Sequence, residues 1–251
     1  MFKLVSLLKE AIDKPKAIFL GGPAGSGKSY ISKQLLPSNL NVVNVDDTYE
    51  ELLKSSGLGL KQKDFSPEEL SQAAKLMGQA QKVTKEKYAE FIKNAKDVII
   101  DGTGGASRPL LKKKQELEDL GYETFMLMIY VSPLVSLERN KERERSLMPS
   151  IVLRTWRDVN QNIDTYQQEF GDNFVLINNN PKEAIQDFSK ELTAPYFKDS
   201  GARGKEKSPE EIEKSKKEKE QLNQDIENLV QSFPEFNSLE QAKQKINNFL
   251  K

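Results

Sequence analysis

Gly22-Pro23-Ala24-Gly25-Ser26-Gly27-Lys28-Ser29 follows the apolar run Ala17-Ile18-Phe19-Leu20 and leads into Tyr30-Ile31-Ser32-Lys33-Gln34-Leu35. It fits the pattern G-x-x-x-x-G-K-S at every position. The pattern has a physical basis. Glycines let the backbone turn tightly, so that successive N–H groups converge on phosphate oxygens. A helix starting near Lys28 adds the positive end of its dipole. Lys28 reaches the outer phosphates of a nucleoside triphosphate, and the Ser29 hydroxyl can hold Mg²⁺. A bare Gly-rich turn would not need the apolar strand before it and the helix after it. The segment is therefore read as a cradle for ATP, formed by Gly22, Pro23, Ala24, Gly25, Ser26, Gly27, Lys28 and Ser29.

Working outward, the same rhythm of apolar run and helix repeats. Asn41–Val45 ends at Asp46-Asp47; Asp97–Ile100 ends at Asp101; Phe125–Val131 follows Gly121; Asn173–Ile177 follows Gly171. Continuous apolar strands separated by helices predict a parallel sheet covered on both faces, an α/β three-layer fold. Ser66-Pro67-Glu68-Glu69 and Ser208-Pro209-Glu210-Glu211 carry helix-start signals, and Asn180-Pro181-Lys182-Glu183 repeats the device with an Asn cap. The stretch from Glu50 to Lys96 is a long, mostly helical insert, either a cover over the substrate or a scaffolding helix pair.

The polar composition narrows the chemistry. Charged residues make up 30% of the 251, and formal net charge is zero, so no global field announces a nucleic-acid or membrane partner. The chain has neither cysteine nor histidine. Disulfides, thiolate nucleophiles and the commonest general base are excluded together, and a carboxylate, lysine or tyrosine must accept any proton. Met1 to Asp13 is too short and too charged to span a membrane and reads as a short amphipathic helix; a cytoplasmic protein is expected. Residues 1–192 are expected to form the catalytic domain and 193–207 a flexible linker. Residues 208–251 should form a C-terminal α-helical hairpin, docked on the domain or holding a protein partner.

Three further positions carry candidate chemistry. Asp101 ends a strand and precedes Gly102, where a carboxylate can support the Mg²⁺ shell or merely open a turn. Asp46 and Asp47 end another strand and are candidates for the base that takes a hydroxyl proton; either could also cap the next helix. Arg139 and Arg143 are four apart, hence on one helical face, in Leu137–Arg145. They could meet phosphate charge or pair with Glu138, Glu142 and Glu144.

Together these segments resemble the small P-loop kinases of the polynucleotide kinase and zeta-toxin type, over roughly Lys16 to Leu192. Val43-Asn44-Val45-Asp46-Asp47 is similar to their strand ending in the acceptor-activating Asp. Val98–Thr103 resembles their third-strand segment, and Arg139–Arg143 followed by Met148-Pro149 resembles their lid. The resemblance implies a five-stranded parallel sheet of order 2-3-1-4-5, with ATP and Mg²⁺ as cofactors and γ-phosphate transfer to a hydroxyl. It implies Asp46 as base, Arg143 on the transferred phosphate, Arg139 with the nucleotide, and Ser29 and Asp101 at the metal. It suggests that Asn178 to Pro181 frames the adenine, where a plain polar turn is the alternative. One feature departs: these families usually carry an arginine three residues after the base, and here that position is Tyr49 or Glu50.

Three functions follow as expectations. The first is a 5′-hydroxyl kinase of nucleic acid. The second is a kinase of a nucleotide or nucleotide sugar. The third is a nucleotide-dependent binding module that engages a protein through its C-terminal hairpin. Lysines 54, 61, 63, 75, 82, 85 and 87 suggest an anionic acceptor under the insert, or a solvated surface.

Overall fold

A computed structural model describes residues 14–60, 65–143, 147–181 and 233–251, with the single positions 224 and 228. Five strands form one parallel sheet: β1 (Lys16–Gly21), β2 (Asn41–Val43), β3 (Val98–Asp101), β4 (Glu123–Tyr130) and β5 (Phe174–Asn178). Their order is β2-β3-β1-β4-β5, as expected. The order reverses beside β1, so the crevice at the carboxyl ends opens where the Gly-rich segment emerges.

The helices are α1 (Lys28–Leu35), α2 (Val45–Ser55), α3 (Pro67–Lys93), α4 (Ser107–Asp119), α5 (Pro133–Lys141), α6 (Pro149–Asn160), α7 (Ile163–Phe170) and α8 (Leu239–Phe249). Strand periodicity sorts the core into two faces. Phe19, Met126, Met128 and Leu176 point to one, against Leu117, Trp156, Tyr166 and Phe170 of α4, α6 and α7. Ile18, Leu20, Leu127, Ile129 and Val175 point to the other, against Ile31 and Leu35 of α1 and Ala242, Ile246 and Phe249 of α8. A smaller cluster joins α2 to α3 through Tyr49, Leu53, Ala73 and Ala80.

Ser66 builds the capping box read from its sequence: its Oγ accepts from the Glu69 N–H at 3.2 Å, and the Glu69 carboxylate accepts from the Ser66 N–H at 2.7 Å. The second strand is shorter than its β-rich run suggests. It stops at Val43, and Asn44 caps α2 by accepting from the Asp46 N–H at 2.8 Å. Asn is among the strongest N-caps, so the helix begins before either Asp and Val45 is helical. The cap is therefore neither Asp46 nor Asp47.

The expected N-terminal helix, the linker and the helix starting near Pro181 lie outside the described residues, as does the helix starting at Ser208 apart from positions 224 and 228. Within them, the chain from Phe233 returns to the sheet edge. The Asn237 N–H donates to the Leu176 carbonyl at 2.7 Å, and the Asn237 Oδ1 accepts from the Leu176 N–H at 3.1 Å. Phe233 and Phe236 stack on Tyr130, with centroids 5.3 and 5.4 Å away. The edge of β5 is thereby paired, which removes an open template for strand addition. Among the described residues no helix is long and apolar enough to cross a membrane.

Candidate active site

Gly22 to Ser29 turns from the end of β1 into α1. Gly27, the N-cap of α1, has φ 81°, and Gly25 has φ 75°. Side chains rarely adopt this left-handed region. A Cβ on Gly25 would also lie 2.7 Å from the Ser136 carbonyl oxygen, and one on Gly27 would strike the Asn179 amide. The second half of the fold holds the loop from beneath. Ser136 Oγ donates to the Ala24 carbonyl, Arg139 Nη1 to the Gly25 carbonyl at 3.2 Å, and Asn179 Nδ2 to the Ser26 carbonyl at 2.8 Å. Arg139 Nη2 also donates to the Asn179 carbonyl at 3.0 Å. The carbonyls of Ala24, Gly25 and Ser26 are thus occupied by these side chains, and the Ser26 N–H closes a turn onto the Pro23 carbonyl at 3.1 Å.

A cavity of about 680 Å³ lies over this loop. Pro23 to Ser29, Asp46, Asp47, Asp101, Arg139 and Arg143 all line it, so segments far apart in sequence converge on one space. Of the motif, only Gly22 is missing from the wall; its N–H donates to the Thr103 carbonyl at 2.9 Å and ties the loop to the segment after β3. Register explains the meeting. β1 pairs with β3 such that Leu20 lies opposite Asp101, which puts the carboxylate level with the start of the loop.

Electrostatics single out two groups. Burial lowers the pKa of Lys28, Asp101 opposes that effect, Arg143 reinforces it, and Asp46 opposes it more weakly. The Lys28 ammonium donates to the Gly22 carbonyl at 2.8 Å. Burial lifts the Asp101 carboxyl to about 6 against the attraction of Lys28, and Asp47 and Asp46 push it the same way. Asp101 Oδ2 accepts from Asn44 Nδ2 at 2.8 Å, while its buried Oδ1 has no hydrogen-bond partner among the described residues. Asp47 is raised too, by burial first and then by Glu50, Asp46 and Glu51, with Asn44 opposing.

Several residues here escaped the sequence reading. Asn44 caps α2 and holds Asp101 at once. Asn179 belongs to the Asn run that suggested an adenine frame or a polar turn; its amide braces the phosphate loop. Ser136 and Thr155 gave no signal, since neither belongs to a motif. Of the insert, Glu50 faces the cavity, whereas Tyr49 is only 2% exposed and packs with Leu53. Among the described residues α3 contributes nothing to the cavity wall and braces α2 instead, Thr84 Oγ1 meeting Thr48 Oγ1 at 3.2 Å.

The family model described as Zeta toxin matches residues 5–187. The chain belongs to the zeta toxin family. Its fold and family make it a P-loop kinase-type phosphotransferase, in agreement with the sequence reading. The PezAT chromosomal toxin-antitoxin system of Streptococcus pneumoniae contains a similar chain. Identity is 18% over 92% of this chain and 95% of that one, with a TM-score of 0.50. The AvrRxo1-ORF1:-ORF2 complex with ATP shows 12% identity over 99% and 84%, with a TM-score of 0.53. A chain of the Pnkp1/Rnl/Hen1 RNA repair complex shows 18% identity over 60% and 46%, with a TM-score of 0.45. No curated protein matches the chain in sequence.

Proposed function

We propose that the chain moves the γ-phosphate of ATP to the hydroxyl of a small acceptor, with Asp46 as the base. The observation that carries this reading is the convergence of Lys28, Asp46, Asp101 and Arg143 on one cavity above the Gly-rich loop. The backbone N–H groups of Gly25 and of Gly27 to Ser29 bind the triphosphate, and Lys28 leaves the Gly22 carbonyl for the outer phosphates. Arg139 serves the nucleotide by fixing the loop's shape from below. Arg143 and Lys28 meet the charge that spreads over the transferred group.

Asp101 offers a buried oxygen without a partner among the described residues, Ser29 lines the same cavity, and both are hard oxygen donors, so the residues fit Mg²⁺. Ser29 and Asp101 would hold the ion, Asp101 directly or through water. When bound, the ion neutralises phosphate charge and helps orient the triphosphate.

Asp46 rather than Asp47 is assigned as base on the resemblance of Val43 to Asp47 to the strand that ends in the acceptor-activating Asp; both carboxylates line the cavity. Asp46 sits in the first turn of α2, anchored by the Asn44 cap. The acceptor's hydroxyl proton passes to its carboxylate as the oxygen attacks phosphorus. A small acceptor is favoured over a polynucleotide because Glu50 faces the cavity where an anion-binding arginine would be needed, and Tyr49 is buried. A carboxylate there repels a backbone phosphate.

Calorimetry with ATP, together with transfer rates, tests the base. Asp46→Asn should bind ATP within about twofold of the parent and transfer at least about 10²-fold more slowly. Near-normal transfer in Asp46→Asn with a collapse in Asp47→Asn would move the role one residue along.

A further inference from the structure

Asn140 is a buried polar side chain near the cavity to which the assigned roles give no part. It is 3% exposed, near the end of α5. Its Nδ2 donates to the Leu147 carbonyl at 2.8 Å, and its Oδ1 accepts from the Leu147 N–H at 3.0 Å. The amide thus pairs with a backbone position seven residues on, using both of its faces as a neighbouring strand would. Its own carbonyl accepts from the Arg143 N–H at 3.4 Å. Leu147 in turn lines the cavity, as does Arg143. Arg139, one residue earlier, is tied to the Gly25 carbonyl of the phosphate loop.

We infer that Asn140 is a positioning residue: it clamps the chain on both sides of Arg143 and so holds that guanidinium at the phosphoryl end of the cavity. The inference rests on the role proposed for Arg143. Arg143 lines the same cavity as Lys28 and the phosphate loop, and its charge acts on Lys28. Its backbone is bonded directly to Asn140, whose side chain fixes the return of the chain at Leu147. A long, exposed arginine loses much rotamer and backbone freedom when it engages a phosphate. Fixing the backbone beforehand reduces that cost, and the reduction appears only in complexes that contain the phosphate Arg143 touches. A merely structural asparagine would affect every ligand alike.

The test compares ATP and ADP affinities, each with Mg²⁺, by titration calorimetry on the full chain. The proteins are the parent, Arg143→Ala, Asn140→Ala, Asn140→Asp and the double variant Asn140→Ala/Arg143→Ala. The parent should prefer ATP, and Arg143→Ala should lose that preference. Asn140→Ala should lose about tenfold of it, the equivalent of one to two net hydrogen bonds, with ADP affinity kept. The double variant should be no worse than Arg143→Ala alone. Asn140→Asp keeps the acceptor for the Leu147 N–H but sets a carboxylate oxygen against the Leu147 carbonyl, so it should match Asn140→Ala without opening a void. An unchanged ATP preference in both Asn140 variants would overturn the inference while leaving Arg143 in place. Additive losses in the double variant, or equal losses of ATP and ADP in both Asn140 variants, would do the same in favour of a structural role. An unchanged preference in Arg143→Ala would overturn the role of Arg143 itself, and this inference with it.

Discussion

Asp101 shows how one side chain can cost stability and serve a site. Its carboxyl stands at about 6, above an ordinary value of 3.8, chiefly because it is buried. The folded chain therefore holds that proton more tightly than the unfolded chain does. Stability from this group declines as pH rises through the window between those two values, and stays low above it. Asp101→Asn should stabilise the metal-free protein by about 1–3 kcal/mol at pH 7.5, with the gap narrowing as pH falls from 6 towards 4. Melting temperatures of both proteins across that range check the sign. The same substitution should weaken Mg²⁺-dependent nucleotide binding, since it removes a charge beside Ser29. Lys28→Ala, by contrast, should abolish transfer outright, because Lys28 is the cation at the loop itself. At this scale the sequence was informative where chemistry follows from a fixed pattern. The motif from Gly22 to Ser29 could be read directly. Asn44 and Asn179 could not, because a single asparagine has no spacing to betray it and its partners lie 57 and 153 residues away.

Among the elements, α2 is the one that aims the chemistry. Its N-cap sets where Asp46 and Glu50 face, and the same Asn44 amide holds Asp101. Asn44→Ala should cost about 1–2 kcal/mol as a lost cap and a lost buried hydrogen bond. It should also slow transfer more than it weakens ATP binding, which paired thermal melts and kinetics would show. The strand run Asn41–Val45 misled at its end because β-branched residues on both sides of Asn44 favour a strand, while the cap and the acidic first turn favour a helix. Capping prevailed, since it satisfies an N–H group that a frayed strand end would leave open. The Ser66 box was legible because Pro67 and Glu69 reinforce it at fixed offsets. The helix pair α2–α3 proved to share its own small core, so it supports the site from behind.

For the whole molecule, the parallel sheet was legible in the alternating apolar runs and helices, whereas its strand order came from the family resemblance. The C-terminal segment was not legible, because an amphipathic helix reads alike whether it covers its own domain or a partner. Here α8 completes one face of the core, with Ile246 fully buried and the Phe249 ring 5.1 Å from that of Phe125. Ile246→Ala should therefore destabilise the entire domain by about 2–5 kcal/mol in a single cooperative transition, measured by denaturant unfolding. An unfolding curve in which only a small separate step moved would mean that α8 is a detachable appendage.

The account stands or falls on group transfer from the cavity above Gly22 to Ser29. The measurement that tests it most directly is transfer of label from γ-labelled ATP with Mg²⁺. One panel would offer nucleosides, nucleotides, nucleotide sugars and 5′-hydroxyl DNA and RNA oligonucleotides, with Lys28→Ala as the blank. Label on a small hydroxyl compound, absent from the oligonucleotides and from the Lys28→Ala reaction, is the expected result. ATP that binds yet passes label to none of them, or label on a small acceptor that persists in Lys28→Ala, would contradict it.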